Sequence, residues 1–216
     1  MIKRLFDVVV SAAALLLLLP VLLVLAAAVK LDDGGPVIFR QERAGRHGRT
    51  FRMHKLRTMR SGPGPQVTAD SDDRITRVGR FLRATKLDEL PQFYDVLVGH
   101  MSLVGPRPEV WRYVMHWPAA ARHRILSVRP GITDPTQIAF RHESAELAAV
   151  ERPEEYYLSV VLPRRVEMCL RYVENRSFLG DIVILLRTAQ ALVRPRPPVD
   201  RGQVAPATAG AGGSAA

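Results

Sequence analysis

The hydrophobic and polar positions along the chain divide it into one long apolar block, a short alternating region and a series of amphipathic segments. No charged residue occurs from Val8 to Val29. At 1.5 Å per residue this run reaches roughly 33 Å, enough to cross a hydrocarbon core as a helix. Lys3 and Arg4 precede it, and from Arg40 to Arg60 eight basic residues accompany a single acidic one, Glu42. The positive-inside tendency draws both flanks to the cytoplasm, and Pro20, near the centre of the run, offers a place for a helix to turn back. A straight spanning helix remains the alternative on residues alone. A cleaved signal peptide fits less well, because the run exceeds an ordinary hydrophobic region and the remainder is poor in cysteine.

Beyond the apolar block, Pro36 to Arg43 and Arg49 to Arg57 carry β-branched and aromatic residues around Ala44-Gly45-Arg46-His47-Gly48 and predict a short β-hairpin. Ser61-Gly62-Pro63-Gly64-Pro65 opens a mobile loop expected to run to Asp72. Asp73 to Arg83 returns to helical spacing through Ile75, Val78, Phe81 and Leu82. Pro91 suits the first position of a helix that Gly99 ends, which sets Asp88 and Glu89 just ahead of its N-terminus. Glu109 to Trp117 reads as a short amphipathic helix whose two tryptophans serve either an interfacial belt or the core. Arg129-Pro130-Gly131 marks a turn, Pro153 to Val173 a longer helix bent at Pro163, and Leu179 to Leu192 a last one. After Arg194-Pro195-Arg196-Pro197-Pro198 the Ala- and Gly-rich tail is expected to be disordered. The divisions are therefore 1–34 for a membrane anchor, 35–193 for a catalytic domain and 194–216 for the tail.

Composition sharpens this picture only in part. The 216 residues fit about one domain, and 47% hydrophobic with 24% charged residues excludes wholesale disorder. The single Cys169 excludes a disulfide scaffold and a thiolate zinc site. A net charge of +10, carried by 27 Arg and only 4 Lys, favours polyanions: nucleic acid, anionic lipid or a phosphorylated substrate. The series Arg40, Arg43, Arg46, Arg49, Arg52, Lys55 is most simply a solvated or headgroup-facing flank. Nucleic-acid binding asks for interleaved stacking aromatics, and only Phe39 and Phe51 are at hand, so no nucleic acid is expected.

The candidate chemistry narrows to one acidic pair. The six histidines lack ligand spacing, and no phosphate-binding loop, nucleophile elbow or HExxH is present. Asp88 and Glu89, as neighbours, point apart and suit two separate roles rather than one facing dyad. A carboxylate there serves as a nucleophile toward phosphorus or as a ligand for a hard cation, or simply as a cap. Arg83 lies five residues before Asp88, and Arg107 between two prolines and Arg129 before its Pro-Gly turn are arginines of restricted freedom suited to phosphate.

Seven blocks, in order over about 130 residues, resemble the bacterial sugar transferases, the monotopic polyprenyl-phosphate phosphoglycosyltransferases. They are Lys3-Arg4-Leu5-Phe6-Asp7, Gly35 to Gly45, Lys55-Leu56-Arg57-Thr58-Met59, Asp73 to Arg83, Leu87-Asp88-Glu89-Leu90-Pro91-Gln92, Met101 to Pro108 and Arg129-Pro130-Gly131-Ile132-Thr133. The resemblance implies an α+β fold: a re-entrant membrane helix broken at Pro20, then a small, mainly helical catalytic domain with a short β-hairpin, lying on the cytoplasmic face of the bacterial inner membrane. It implies transfer of a sugar-1-phosphate from a UDP-sugar to undecaprenyl (polyprenyl) phosphate, with Mg²⁺ and release of UMP, as a first membrane step of polysaccharide or glycoconjugate assembly. Asp88 is then the expected covalent nucleophile, with Asp88 and Glu89 at the metal and Arg107 and Arg129 as candidate phosphate contacts; Lys55, Arg57 and Arg83 complete the expected phosphate-binding set. One departure is Leu19-Pro20, where the family often carries Ser-Pro. Membrane lipids are expected partners, and a homo-oligomer is left open. The rivals from other classes are a membrane-anchored basic module that binds lipid or nucleic acid without catalysis, and a catalytically dead assembly or regulatory protein on the same scaffold, for which Asp88 is dispensable.

Overall fold

The computed structural model describes residues 1–62, 72–140 and 143–193. The apolar block forms one helix, α1 (Ile2–Asp33), closed by Gly34 at φ 76°, a left-handed cap that glycine adopts without a Cβ penalty. Its best window has a mean hydropathy of 3.0, is only 11% buried, and is long and apolar enough to cross a membrane. The expected break at Pro20 is absent as an interruption: the helix runs through Pro20. Proline removes one backbone donor and favours a bend without ending the helix when the turns on either side hold.

Both ends of α1 are fastened to the rest of the chain by polar contacts. Near the start, Lys3 Nζ reaches the Val104 carbonyl (3.1 Å) and Asp181 (2.5 Å), and Arg4 donates to the carbonyls of Val96 (2.7 Å) and Leu97 (3.0 Å). Asp7, 3% exposed, accepts from Ser102 Oγ at 2.7 Å and from the Leu103 N–H at 3.3 Å. At the other end Asp32 accepts from the Val78 N–H at 3.0 Å, and Asp33 pairs with Arg57. Between these anchors Leu16, Leu17, Leu19, Leu23 and Val24 are exposed.

The predicted hairpin is present as β1 (Ile38–Ala44) and β2 (Thr50–Leu56), antiparallel from Ile38 opposite Leu56 to Ala44 opposite Thr50. Next come α2 (Arg77–Thr85), a 3-10 turn over Leu87–Glu89 and α3 (Gln92–Leu97). Helix α2 starts later than the spacing predicts, because Thr76 Oγ1 accepts the Gly79 N–H as its cap and Ile75 bridges Met59. Pro91 stands one place earlier than expected, as the N-cap of α3. Most of the expected mobile loop, 63–71, lies outside the described residues, as does the tail 194–216.

A second, parallel pair was not legible: β3 (Ser102–Val104) and β4 (Gly131–Thr133), with Ser102 opposite Gly131 and Val104 opposite Thr133. Here backbones meet so closely that a Cβ on Gly131 would lie 2.1 Å from the Gly105 nitrogen. The pair joins the Met101–Pro108 and Arg129–Thr133 blocks directly.

Between these strands lie α4 (Trp111–Val114) and α5 (Ala119–Ile125), and after them α6 (Pro135–Ala139), α7 (Glu143–Ala148), α8 (Pro153–Tyr156), α9 (Leu162–Asn175) and α10 (Phe178–Val193). The predicted amphipathic helix at 109–117 shrinks to α4. Trp117 is buried in the core, and Trp111 donates to Thr50 Oγ1 at 2.9 Å. The predicted long helix at 153–173 is divided: a π turn, Tyr157–Val161, joins α8 to α9, and Pro163 lies in the first turn of α9.

Candidate active site

Three elements converge on the acidic pair. Lys55 comes from the end of β2, Asp88 and Glu89 from the 3-10 turn, and Arg107 from the loop after β3. The turn is set by Lys86, whose backbone is left-handed (φ 61°). Lys86 ends α2 with its N–H toward the Arg83 and Leu82 carbonyls and starts the next turn, an unusual geometry for a side chain-bearing residue.

Glu89 Oε1 receives Lys55 Nζ at 2.8 Å and Arg107 Nη1 and Nη2 at 3.3 and 3.2 Å. Burial alone would raise the Glu89 carboxyl, but Lys55, Arg107 and Lys86 outweigh it and hold the group far below the usual carboxylate range. Arg107 is raised correspondingly: burial opposes its charge, and Glu89, Glu109 and Glu143 more than restore it. Burial lowers Lys55 against the pull of Glu89.

Asp88 is different. It is 7% exposed, its Oδ1 is buried without a hydrogen-bond partner, and burial pushes its carboxyl above the ordinary range. Lys55, Lys86 and Arg83 pull the other way and Glu89 adds to the rise. Two adjacent carboxylates thus have opposite characters: Glu89 is an anion fixed between two cations, and Asp88 is an underused anion beside them.

The loop carrying Arg107 is held from three sides. Asp134 Oδ2 accepts the Arg107 N–H (3.1 Å), Gly105 and Gly131 lock its base, and Arg43 donates to the Pro108 carbonyl (3.2 Å) and Glu109 (3.1 Å). Glu109 in turn accepts from the buried Tyr157 hydroxyl at 3.0 Å.

The first 195 residues match the sequence model of the bacterial sugar transferases. The chain belongs to that family. It is 39% identical over 199 residues to the UDP-glucose:undecaprenyl-phosphate glucose-1-phosphate transferase of Caulobacter vibrioides, covering 88% of this chain and 69% of that one. With the Escherichia coli K12 protein of the same name it shares 40% identity over 194 residues, 87% of this chain but 39% of the relative. With the undecaprenyl-phosphate galactose phosphotransferase of Salmonella typhimurium it shares 34% over 211 residues, 89% and 40% of the two chains. This sugar transferase therefore spans well under half the length of the last two.

Of the site residues read from the sequence of this sugar transferase, Asp88, Glu89, Lys55 and Arg107 come together. Arg83 contributes to the field at Asp88 while its Nη1 lies 3.6 Å from Met59 Sδ. Arg57 is instead buried against Asp33 and Gly35, where it ties β2 to the end of α1. Arg129 is also elsewhere: its Nε donates to the Gly99 carbonyl at 2.9 Å, with Arg4 and Asp7 as its charged neighbours. Sequence reasoning missed Lys86 and Arg43. Lys86 gave one signal, its place two residues before the acidic pair, whereas Arg43 looked like one more member of a basic flank.

Proposed function

We propose that this chain transfers a sugar-1-phosphate from a UDP-sugar to undecaprenyl phosphate, releasing UMP, with Asp88 as a covalent nucleophile. The observation that carries the reading is Asp88 Oδ1, a buried and unpartnered carboxylate oxygen beside Lys55, Lys86 and Arg83. A basic binding module has no use for such a group, whose burial without a partner costs stability. The names of the relatives supply the substrate class.

In this reading an Asp88 oxygen attacks the β-phosphorus of the UDP-sugar. The bond from that phosphorus to the bridging oxygen breaks, and its electron pair leaves with UMP. A phosphate oxygen of the polyprenyl acceptor then attacks the phosphorus of the acyl phosphate and returns Asp88 as a carboxylate. Arg107 and Lys55, locked on Glu89, form a preorganised cationic wall that offsets charge on the phosphoryl oxygens. Among the described residues no cluster of three or more metal-ligating side chains is present. Mg²⁺ nevertheless fits, since it is commonly held by one or two carboxylates together with substrate phosphates and waters, and Asp88 Oδ1 is available. Bound there, Mg²⁺ would supply neutralisation of the diphosphate, and Glu89 would join it only by loosening a cation.

We also place both ends of α1 on the cytoplasmic side of the inner membrane. Support comes from the basic flanks and from the polar anchors that fasten residues 3–7 and 32–33 to the same domain. A re-entrant helix bent at Pro20 satisfies both while keeping the active site beside an acceptor whose tail stays in the bilayer. This makes the chain an initiating enzyme of polysaccharide or glycoconjugate assembly. UMP release from a panel of UDP-sugars, each with undecaprenyl phosphate and Mg²⁺, tests the assignment: one sugar should support release, and none supporting it would overturn it.

A further inference from the structure

The face that the 3-10 turn and α3 present to β2 is polar where a core face would be apolar. Leu90 (φ −53°, ψ −37°) and Pro91 (φ −60°, ψ −17°) continue the right-handed path of the turn into α3. Asp88, Gln92, Asp95 and Val96 therefore fall on one side, at 7, 1, 0 and 0% exposure. At the far end of this stripe Asp95 is fully served, accepting the His54 N–H at 2.9 Å and His54 Nδ1 at 2.7 Å. Val96 joins the core with Phe51 and Met53. In the middle, Gln92 Nε2 is buried with no hydrogen-bond partner, and at the near end the same holds for Asp88 Oδ1.

Two orphans one helical turn apart do not bond each other, and together they lie on the stripe that runs to the phosphoryl-accepting group. Buried donors are almost always partnered, so an unpartnered amide beside a reactive carboxylate points to an acceptor that arrives with the substrate. Of the cations nearby, Lys55 and two nitrogens of Arg107 are already spent on Glu89.

We propose that Gln92 is a substrate-binding residue, its Nε2 donating a hydrogen bond to a phosphate oxygen of the nucleoside diphosphate brought to Asp88. The inference rests on the phosphate-transfer reading of Asp88. It differs from a packing role for Gln92 in a measurable way, because an apolar side chain of similar volume relieves an unpartnered amide and loses only the ligand contact.

The test uses the full chain in lipid nanodiscs, with Kd for UDP in the presence of Mg²⁺ and the thermal midpoint measured for wild type, Gln92→Met and Gln92→Glu. Gln92→Met should keep or raise the thermal midpoint while weakening UDP binding about 10-fold or more, as expected for one lost hydrogen bond to a charged group. Gln92→Glu, similar in size but without the donor, should weaken it at least as much. Wild-type affinity in either folded variant overturns the proposal, and so does failure of both variants to fold, which would make the amide structural. UMP release by the wild type is read separately. A wild type that binds UDP but releases no UMP from any UDP-sugar sinks the transfer reading while the Kd comparison still decides Gln92. A wild type that does not bind UDP overturns both.

Discussion

Arg107 donates through both terminal guanidinium nitrogens to a single oxygen of Glu89, at 3.3 and 3.2 Å. The carboxylate thereby fixes the arginine in place, and the arginine holds the carboxylate ionised. A lysine ammonium keeps the charge but presents one point instead of a planar fork. Arg107→Lys should lower turnover about 10-fold or more, whereas Arg46→Lys, at an exposed contact to the Ser127 carbonyl, should change it little. Steady-state UMP release for the two variants decides the ranking, and equal losses would contradict it.

Among the described residues Glu89 is the one anion that both Lys55 and Arg107 reach in hydrogen-bond range. Glu89→Gln leaves two part-buried cations facing a neutral amide, and destabilisation of about 1–3 kcal/mol is expected. The pH dependence carries the same signature. A carboxyl whose folded pKa is depressed contributes stability that is present above its unfolded value, about 4.3, and is lost as pH falls through that value toward the folded one. Wild type should therefore lose more stability than Glu89→Gln between pH 6 and pH 3 in chemical denaturation. Parallel losses would show that the pair contributes nothing to folding.

Asp88 has the opposite sign. A carboxyl raised by burial costs stability at neutral pH, where it must ionise without a partner for Oδ1. Asp88→Asn should leave the thermal midpoint unchanged or higher while abolishing transfer. A clear drop in the midpoint would mark Asp88 as a structural group.

Much of this was legible in the sequence, and the reasons are local. The apolar run needs only composition to become α1, and the hairpin needs only alternation and its glycine turn. The acidic pair stood out because nothing else in the chain offered the chemistry. What was not legible depends on residues distant in the chain. Strands of three residues carry too little pattern to announce β3 and β4, so the meeting of Gly105 with Gly131 appears only in three dimensions. Sequence also did not display that Arg57 pairs with Asp33 or that Arg129 donates to the Gly99 carbonyl, contacts made between residues far apart in the chain. Gln92 stood beside the pair in a recognised block, but its unpaired amide is a property of burial, which sequence does not display.

Cys169, the chain's one thiol, is buried, and burial with Asp134 close by raises its pKa well above the ordinary thiol value. It should resist maleimide in the folded protein and react on denaturation. That silence permits a topology test by single cysteines. Ile2→Cys and Arg46→Cys should show equal protection from an impermeant reagent in intact cells and equal labelling in opened ones. Opposite accessibility would mean that α1 crosses the membrane straight through Pro20.

The most direct measurement is mass spectrometry of the enzyme incubated with Mg²⁺ and its UDP-sugar, without lipid acceptor. A sugar-phosphate increment is expected on the peptide containing Asp88, formed with release of one UMP, discharged on addition of undecaprenyl phosphate and missing in Asp88→Asn. No adduct at any time, together with intersecting rather than parallel double-reciprocal plots for the two substrates, would contradict a covalent Asp88 intermediate.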